Sequence, residues 1–457
     1  MSRPPDGGAP SRIVVLGGGF AGIATARRLE RLLPRREAEI TVVSRENFSL
    51  FTPMLPEVSS GNLESRHVVT PVRAQLRHAR FILGEVRAVD LAAKTVEVEH
   101  ILLGSRQTLP YDHVVFCLGA VTSTFGLPGI AERAFPLKSL EDAERLRNHA
   151  IAMLELADVT GDARERKRLL SFVFVGGGFT GVEAAGEMID FFKSSVRFYR
   201  TIDPREIEIV LVEGGDKLLP ELQDGMGEYS AKELERRGVR VLLGKHVTGA
   251  FDDGLHLTDG TAIATATIVW SAGAKPSPAV ASSPIGSGRG GAIPVDPDLS
   301  VPGFPGVWAL GDCAAIPAPD GTRYPPTAQH ALREGPFLAA NIAAVLRGRP
   351  TKPFRYRSLG MMASLGGRRG VAGFRGRFLL TGFPAWFVWR TYYLLRLPGL
   401  DRQARVAFDW TLGLIFPRDI SELRVYTQRA QANARGEAGI LPALKDGRPL
   451  EPAPSER

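Results

Sequence analysis

Glycines in two matching triplets carry the clearest chemistry in this chain. Gly17, Gly19 and Gly22 lie in IVVLGGGFAGIATA, and Gly176, Gly178 and Gly181 lie in FVFVGGGFTGVEAAGE. In each stretch an apolar run ends in G-x-G-x-x-G, and small, helix-compatible residues follow. The first glycine of such a triplet makes the turn, and the second lets the backbone approach a pyrophosphate. The third lets helix and strand lie close together. The anion then rests on unpaired N–H groups at the positive end of a helix. One glycine-rich loop is weak evidence. Two of them, each behind an apolar strand, imply two dinucleotides on two Rossmann units.

Carboxylates near these loops extend the reading. Residues 207–212 (IEIVLV) form the second strand of the later unit and end in Glu213. A carboxylate there accepts both ribose hydroxyls and repels a 2′-phosphate, which favours NADH over NADPH. In the earlier unit the strand is 39–43; Ser44 takes the equivalent place, and Glu46, two residues on, is the expected ribose ligand. VWALGDCA, residues 307–314, reads as a strand ending in glycine and aspartate. In a flavin-binding Rossmann unit an acid at this place holds the ribityl chain, which makes Asp312 the candidate. The helix of residues 327–346 follows, with Gln329 in its first turn near the isoalloxazine. Glu183 and Glu187 lie one turn apart on the helix after the second loop,. Glu183 points at the space between the cofactors. Burying it alone is costly, so it is expected to be functional or hydrogen-bonded to solvent.

The elements that position these residues follow from pattern. Residues 21–32 read as a helix, 80–111 as alternating antiparallel strands, and 111–120 as an apolar strand with Cys117 in the core,. Ser139 caps a long charged helix, and Asp142 completes a capping box,. Residues 47–61 (NFSLFTPMLPEVSSG) hold too many prolines for a helix or a central strand, so they read as a ligand-lining loop,.

At 457 residues, 44% hydrophobic and 23% charged, the chain has room for two or three ordinary globular domains,. Its two cysteines, Cys117 and Cys313, exclude a disulfide scaffold and a tetracysteine zinc site, and no metal site is expected,. The first ten residues lack the apolar core of a signal peptide, which points to a reducing compartment,. A net charge of +8 implies an anionic partner,. Between Arg347 and Arg405 the only carboxylate is Asp401, and residues 378–400 (FLLTGFPAWFVWRTYYLLRLPGL) are rich in aromatics. Gly382, Pro384, Arg390 and Arg396 interrupt that run, so it reads as an interfacial helix and not a transmembrane one,. The charge accompanies an apolar face, which favours an anionic lipid surface over nucleic acid. The polar tail after Arg424 reads as disordered.

Taken in order, GGGFAG, LFTPMLPEVSSG, GGGFTGVEAAGEM, VLVEGGDKLLP, WSAGAKPSP, ALGDCA and TAQHALREG resemble the type II NADH dehydrogenases, from about Arg12 to about Leu423. The resemblance implies an FAD-containing, single-subunit NADH:quinone oxidoreductase that does not pump protons. It also implies an α/β fold with two Rossmann-like dinucleotide-binding domains, the second inserted in the first, and a C-terminal membrane-attachment region. The corresponding boundaries are 1–11 for a disordered N-terminus, 12–165 and 286–350 for the FAD-binding domain, and 166–285 for the NADH-binding domain. Membrane attachment takes 351–425, and 426–457 is the polar tail. Carried over residue by residue, Gly17, Gly19, Gly22 and Asp312 serve FAD, and Gly176, Gly178, Gly181 and Glu213 serve NADH. Glu183 falls near the nicotinamide and the quinone. Gln329 matches the first glutamine of the family's A-Q-x-A-x-Q quinone motif; Arg333, followed by Glu334, replaces the second. The expected partners are a membrane quinone and an anionic lipid surface on the cytoplasmic side of the cell membrane, with no nucleic acid. Monomer and homodimer are both open. A sulfide:quinone oxidoreductase, which needs redox cysteines by the flavin, and a soluble NADH-dependent reductase of another acceptor are the rival activities. A flavoprotein acting as a binding module is the rival of another class.

Overall fold

Two parallel sheets grow from the apolar runs that precede the glycine loops. The computed structural model describes residues 9–423, apart from 223, 224, 282, 284, 286, 287 and 375–377. The expectations of disorder at the extreme N-terminus and beyond Arg424 fall largely or wholly outside the described residues. In the first sheet Ser11–Leu16 lies between Ala38–Ser44 and His113–Phe116. Arg80–Asp90 continues the sheet on one side and Val307–Ala309 on the other, all parallel. Covered on both faces, the central strand needs apolar residues throughout, and Ile13 to Leu16 are all buried,. Arg80–Asp90 then outruns its parallel neighbour and pairs antiparallel with Thr95–His100, which pairs with Arg106–Pro110. The second sheet runs Ala134–Pro136, Thr267–Trp270, Ser171–Val175, Glu208–Val212, Val239–Leu242, again all parallel. An antiparallel pair, Ala120–Thr122 with Ala274–Pro276, ties the two together, as does the bond from Trp270 Nε1 to the Ser123 carbonyl at 2.9 Å.

The helices that matter for the site are, in chain order, α1 (Phe20–Leu32), α2 (Leu55–Ser59), α3 (Leu140–Val159), α4 (Phe179–Ser195), α5 (Ala328–Leu346), α6 (Gly382–Arg396) and α7 (Leu400–Leu412). The start of α3 obeys its sequence signal: Ser139 Oγ accepts from the Asp142 N–H at 3.0 Å, and Asp142 accepts from the Ser139 N–H at 2.8 Å.

Residues 47–61 are not the loop their prolines suggest. Phe48–Leu50 is a strand, Thr52–Met54 a single tight turn, and α2 follows with Pro56 in its first turn. At that position the missing N–H breaks no helical bond, so proline is tolerated. Every residue of α2 is buried, with α3 and α4 packed against it.

The C-terminal region is partly core and partly surface. Met361–Ser364, Gly370–Phe374 and Phe378–Thr381 form an antiparallel sheet under α6. The expected interfacial helix over 378–400 is therefore shorter, because its first four residues are a strand and α6 starts at Gly382, where φ is +70°. Trp389, Val406 and Trp410 are buried in the same core as α2, α3 and α4. On the other side Phe383, Phe387, Leu395, Phe408, Ile415 and Phe416 are exposed. No helix among the described residues is long and apolar enough to cross a membrane.

Candidate functional site

The two glycine loops have the same geometry. Gly17 has a φ of +123° and Gly176 one of +109°, a region L side chains rarely adopt,. A Cβ on Gly22 would sit 1.9 Å from the Gly17 carbonyl oxygen, and one on Gly181 1.9 Å from that of Gly176. Helix and strand are therefore as close as bare backbone permits. At Gly19 and Gly178 the opposite holds: an added Cβ meets nothing within 4 Å. The outer face of each loop is clear for an anion to reach the backbone. Neither helix start has a capping side chain or an acidic residue in its first turn, so the positive end of each dipole is uncompensated,. These are features that fit a pyrophosphate twice over.

The strand beside each loop distinguishes them. Val175 pairs with Val212, so Gly176 lies level with Glu213; Leu16 pairs with Val43, so Gly17 lies level with Ser44. The Glu213 carboxylate accepts from the Gly177 N–H, and from the Gly215 N–H at 2.7 Å. That fixes a carboxylate at the end of the strand beside the second loop. Ser44 Oγ instead accepts from the Glu46 N–H at 3.4 Å, and Glu46 itself is exposed.

Asp312 lies in a tight turn, Gly311–Cys313, straight after Val307–Ala309. Among the described residues its carboxylate has no hydrogen-bond partner. Burial raises its pKa, with Lys138 pulling the other way. A half-buried acceptor without a donor fits the hydroxyls of an FAD ribityl chain. Glu334, on α5, is buried and accepts from the Gly311 N–H at 2.8 Å. Burial pushes its carboxyl up to about 7, against the Gly311 bond and with help from Asp312. Spacing alone assigns Glu334 no role beyond following Arg333, because its link to Gly311 crosses between distant segments. Arg333 itself is exposed, its guanidinium over the Tyr356 ring at 5.8 Å.

Gln329 is committed to one segment. Its Oε1 accepts from Tyr356 Oη at 2.9 Å, Ser358 Oγ at 3.1 Å and the Leu359 N–H at 3.2 Å, while Nε2 donates to the Gly360 carbonyl at 3.1 Å. Glu183 grips the same stretch further on. Its Oε1 accepts from the Ser364 N–H at 2.9 Å and from Trp389 Nε1 at 3.0 Å. Gly360 and Ser364 are roughly 13 Å apart in an extended chain, so Gln329 and Glu183 meet through one strand. Glu183 is 6% exposed and bonded to protein, so of the two expectations, a functional role or a hydrogen bond to solvent, the second does not describe it. Burial pushes its carboxyl up to about 8, opposed by Ser364 and Trp389 and reinforced by Glu57 and Glu187.

Both thiols are buried and free. Cys117 donates to the Leu16 carbonyl, with sulfur 3.0 Å from the oxygen, and burial pushes the Cys313 thiol up to about 12. Burial raises both thiols, the opposite of the lowered pKa that marks a reactive cysteine,. Among the described residues no cluster of His, Cys, Asp and Glu could hold a metal ion.

Residues 11–335 match the family described as pyridine nucleotide-disulphide oxidoreductase, and residues 359–419 match the NDH2 C-terminal domain. Over 441 residues the chain is 33% identical to the type II NADH:quinone oxidoreductase Ndh of Mycobacterium tuberculosis, spanning 93% of this chain and 92% of that protein. It is 33% identical over 451 residues to the mitochondrial internal alternative NAD(P)H-ubiquinone oxidoreductase A1 of Arabidopsis thaliana, spanning 92% and 87%. The solved structure of NDH2 from Plasmodium falciparum in complex with NADH superposes with a TM-score of 0.83 at 21% identity, over 90% of this chain and 99% of that one. At that identity the likeness speaks for the fold.

Proposed function

The chain belongs to the pyridine nucleotide-disulphide oxidoreductases and, among them, to the type II NADH:quinone oxidoreductases; from that premise we infer that it oxidises NADH and reduces a quinone with FAD as its resident cofactor. FAD, when bound, supplies the hydride acceptor for NADH and the electron donor for the quinone. The chain's own residues bind, orient and handle protons. Gly17, Gly19, Gly22 and the start of α1 take the FAD pyrophosphate, Asp312 accepts from the ribityl chain, and Glu46 serves the ribose. Gly176, Gly178, Gly181 and the start of α4 take the NADH pyrophosphate. Glu213, held by the Gly177 and Gly215 N–H groups, accepts the ribose hydroxyls and disfavours a 2′-phosphate,. Glu183 holds a proton at neutral pH for delivery to the quinone, and Gln329 frames the acceptor side through residues 356–360.

The observation that carries this reading is the doubled loop, with a fixed carboxylate beside one copy and an unpartnered one, Asp312, on the sheet of the other. In this reading the NADH unit, residues 166–285, is inserted between the two parts of the FAD unit. The return of Val307–Ala309 to the first sheet supports that nesting.

Attachment to a membrane surface rests on the exposed apolar side chains of α6, α7 and the residues that follow,. A 350 Å³ hollow beside the turn between these helices is lined by Arg27, Arg31 and Arg77 against Glu30 and Asp401, so the basic residues of 347–405, and not this hollow, are what favour an anionic lipid partner. We place that surface on the cytoplasmic side, where reducing conditions keep Cys117 and Cys313 as thiols.

The test is NADH oxidation by the purified FAD-loaded protein with a quinone dissolved in vesicles. Turnover is expected with NADH well above NADPH, and faster with anionic than with neutral vesicles. NADH consumption that is indifferent to every quinone would overturn the assignment.

A further inference from the structure

On the quinone-reducing reading above, NADH, one proton and a quinone give NAD⁺ and a quinol, so an acid must hand that proton to the quinone and be recharged from solvent. Glu183 is the buried acid in that role, and the C-terminal region puts two N–H donors on one of its oxygens. Oε1 accepts from the Ser364 N–H at 2.9 Å and from Trp389 Nε1 at 3.0 Å, and among the described residues Oε2 has no hydrogen-bond partner. The backbone of α4 fixes the Ser364 donor. A Cβ on Gly186, three residues from Glu183, would sit 2.5 Å from the Leu365 carbonyl oxygen, so α4 and the chain after Ser364 meet as bare backbone. Asp190, a further turn along α4, accepts from the Gly367 N–H at 2.5 Å and from Arg237 Nη2 at 2.5 Å,. Aromatic side chains fix the Trp389 donor, which comes from α6 and is 1% exposed. Its ring meets Tyr393 edge-on at 4.9 Å, Tyr393 meets Phe51 at 5.9 Å, and Phe51 meets Phe20, the first residue of α1, at 5.7 Å,. The indole therefore stands in a frame that reaches from the first glycine loop to α4.

We propose that Trp389 is a positioning residue for the quinone step: together with Ser364 it makes Glu183 Oε1 the carbonyl oxygen of the protonated acid and confines the transferable proton to Oε2. An oxygen that already accepts two N–H groups is the acceptor of a neutral carboxyl, and the hydroxyl is then the other oxygen. Ser364 alone would hold Oε1 at one point and leave the carboxyl free to turn about it; the indole supplies the second point. The O–H bond therefore starts every cycle from one place, as a positioned proton donor requires. In turnover the Oε2–H bond breaks and an O–H bond to a quinone oxygen forms as two electrons from NADH arrive. The carboxylate left behind regains its proton from solvent. Glu57 of α2, Glu187 of α4 and Tyr393 of α6 are the titratable groups that face Glu183. Glu57 and Glu187 favour the protonated form, and the bonds from Ser364 and Trp389 oppose it.

The sharpest test needs no turnover. The infrared carbonyl stretch of the protonated acid is identified in the resting FAD-loaded protein at pH 7 as the band that Glu183→Gln removes. Trp389→Phe keeps an aromatic ring and removes the N–H, so that band is expected to move to higher wavenumber, as a carbonyl does on losing a donor. A band that stays in place overturns the proposal, and so does the lack of any band removed by Glu183→Gln. Anaerobic stopped-flow then separates positioning from general damage. In Trp389→Phe reoxidation by quinone is expected to slow roughly tenfold, while flavin reduction by NADH changes less than about twofold. The alkaline limit of the quinone step moves upward, because one of the two bonds that lower the Glu183 value is gone,. Equal slowing of both steps, or an unmoved limit, counts against positioning. A wild type that NADH reduces but no quinone reoxidises would instead remove the reading on which the proposal rests, and the band shift stays readable in that case. If Trp389→Phe fails to fold, benzothienylalanine at position 389 keeps the bicyclic ring without the N–H; the same band shift is expected, and its absence overturns the proposal.

Discussion

The two glycine loops are near copies in backbone and differ in what stands beside them. Each has a positive-φ first glycine, a second glycine open to approach, and a third pressed within 1.9 Å of a carbonyl oxygen once a Cβ is added. Level with the first lies Ser44; level with the second lies Glu213, gripped by two backbone N–H groups. The shared part fits what two dinucleotides have in common, the pyrophosphate. In the proposed reading, the unshared part, at the end of the neighbouring strand, separates a resident cofactor from a substrate that comes and goes.

The largest effects are expected where the loops are tightest. Gly22→Val is expected to yield colourless protein without FAD. Gly181→Val is expected to stay yellow and to lose NADH-dependent flavin reduction by roughly a hundredfold or more, as misplacement of a reactant does. Equal loss of FAD in both variants, read from absorbance, would dissolve the distinction between the loops.

Glu213→Ser makes the second loop copy the first. Losing charge-assisted bonds to the ribose is expected to cost about 2 kcal/mol, roughly a thirtyfold rise in KM for NADH, and to narrow the preference over NADPH. Unchanged KM would move the ribose contact elsewhere.

How much of this the sequence disclosed depends on the range of the interactions involved. The loops, Glu213 and the Ser139–Asp142 capping box are local patterns, and they fold as read. In residues 47–61 the prolines count as breakers by composition, whereas Pro56 falls in a first turn where it breaks nothing,. Glu57 went unremarked with that helix. Glu334 on Gly311, Gln329 on residues 356–360 and Glu183 on Ser364 all join segments far apart in sequence, which no spacing rule sees. The strand Phe378–Thr381 merges by pattern with the following helix because its apolar run has no break before Gly382.

A pH profile sharpens a second contrast, between the solvent-facing loops and the sealed acids. With Glu183 raised to about 8, quinone turnover is expected to fall as pH rises through about 8, while flavin reduction by NADH holds. The same shift has a stability sign. The folded state binds this proton more tightly than the unfolded chain, so the stabilisation is complete below the ordinary glutamate value of 4.5 and is lost as pH rises to about 8,. Glu183→Gln is expected to flatten thermal stability across that window. A wild-type Tm that does not fall there contradicts the assignment.

The smallest effect is expected at Arg333, exposed over Tyr356. Arg333→Gln is expected to change quinone turnover by less than about twofold, as surface substitutions do. A larger gain would bring that side chain into the acceptor site.

The most direct measurement of the central claim is flavin absorbance under strict anaerobiosis. One equivalent of NADH is expected to bleach the FAD-loaded protein, and a quinone added afterwards to restore the yellow colour. A flavin that keeps its colour under excess NADH, or one that bleaches and is then untouched by quinone, would contradict the account.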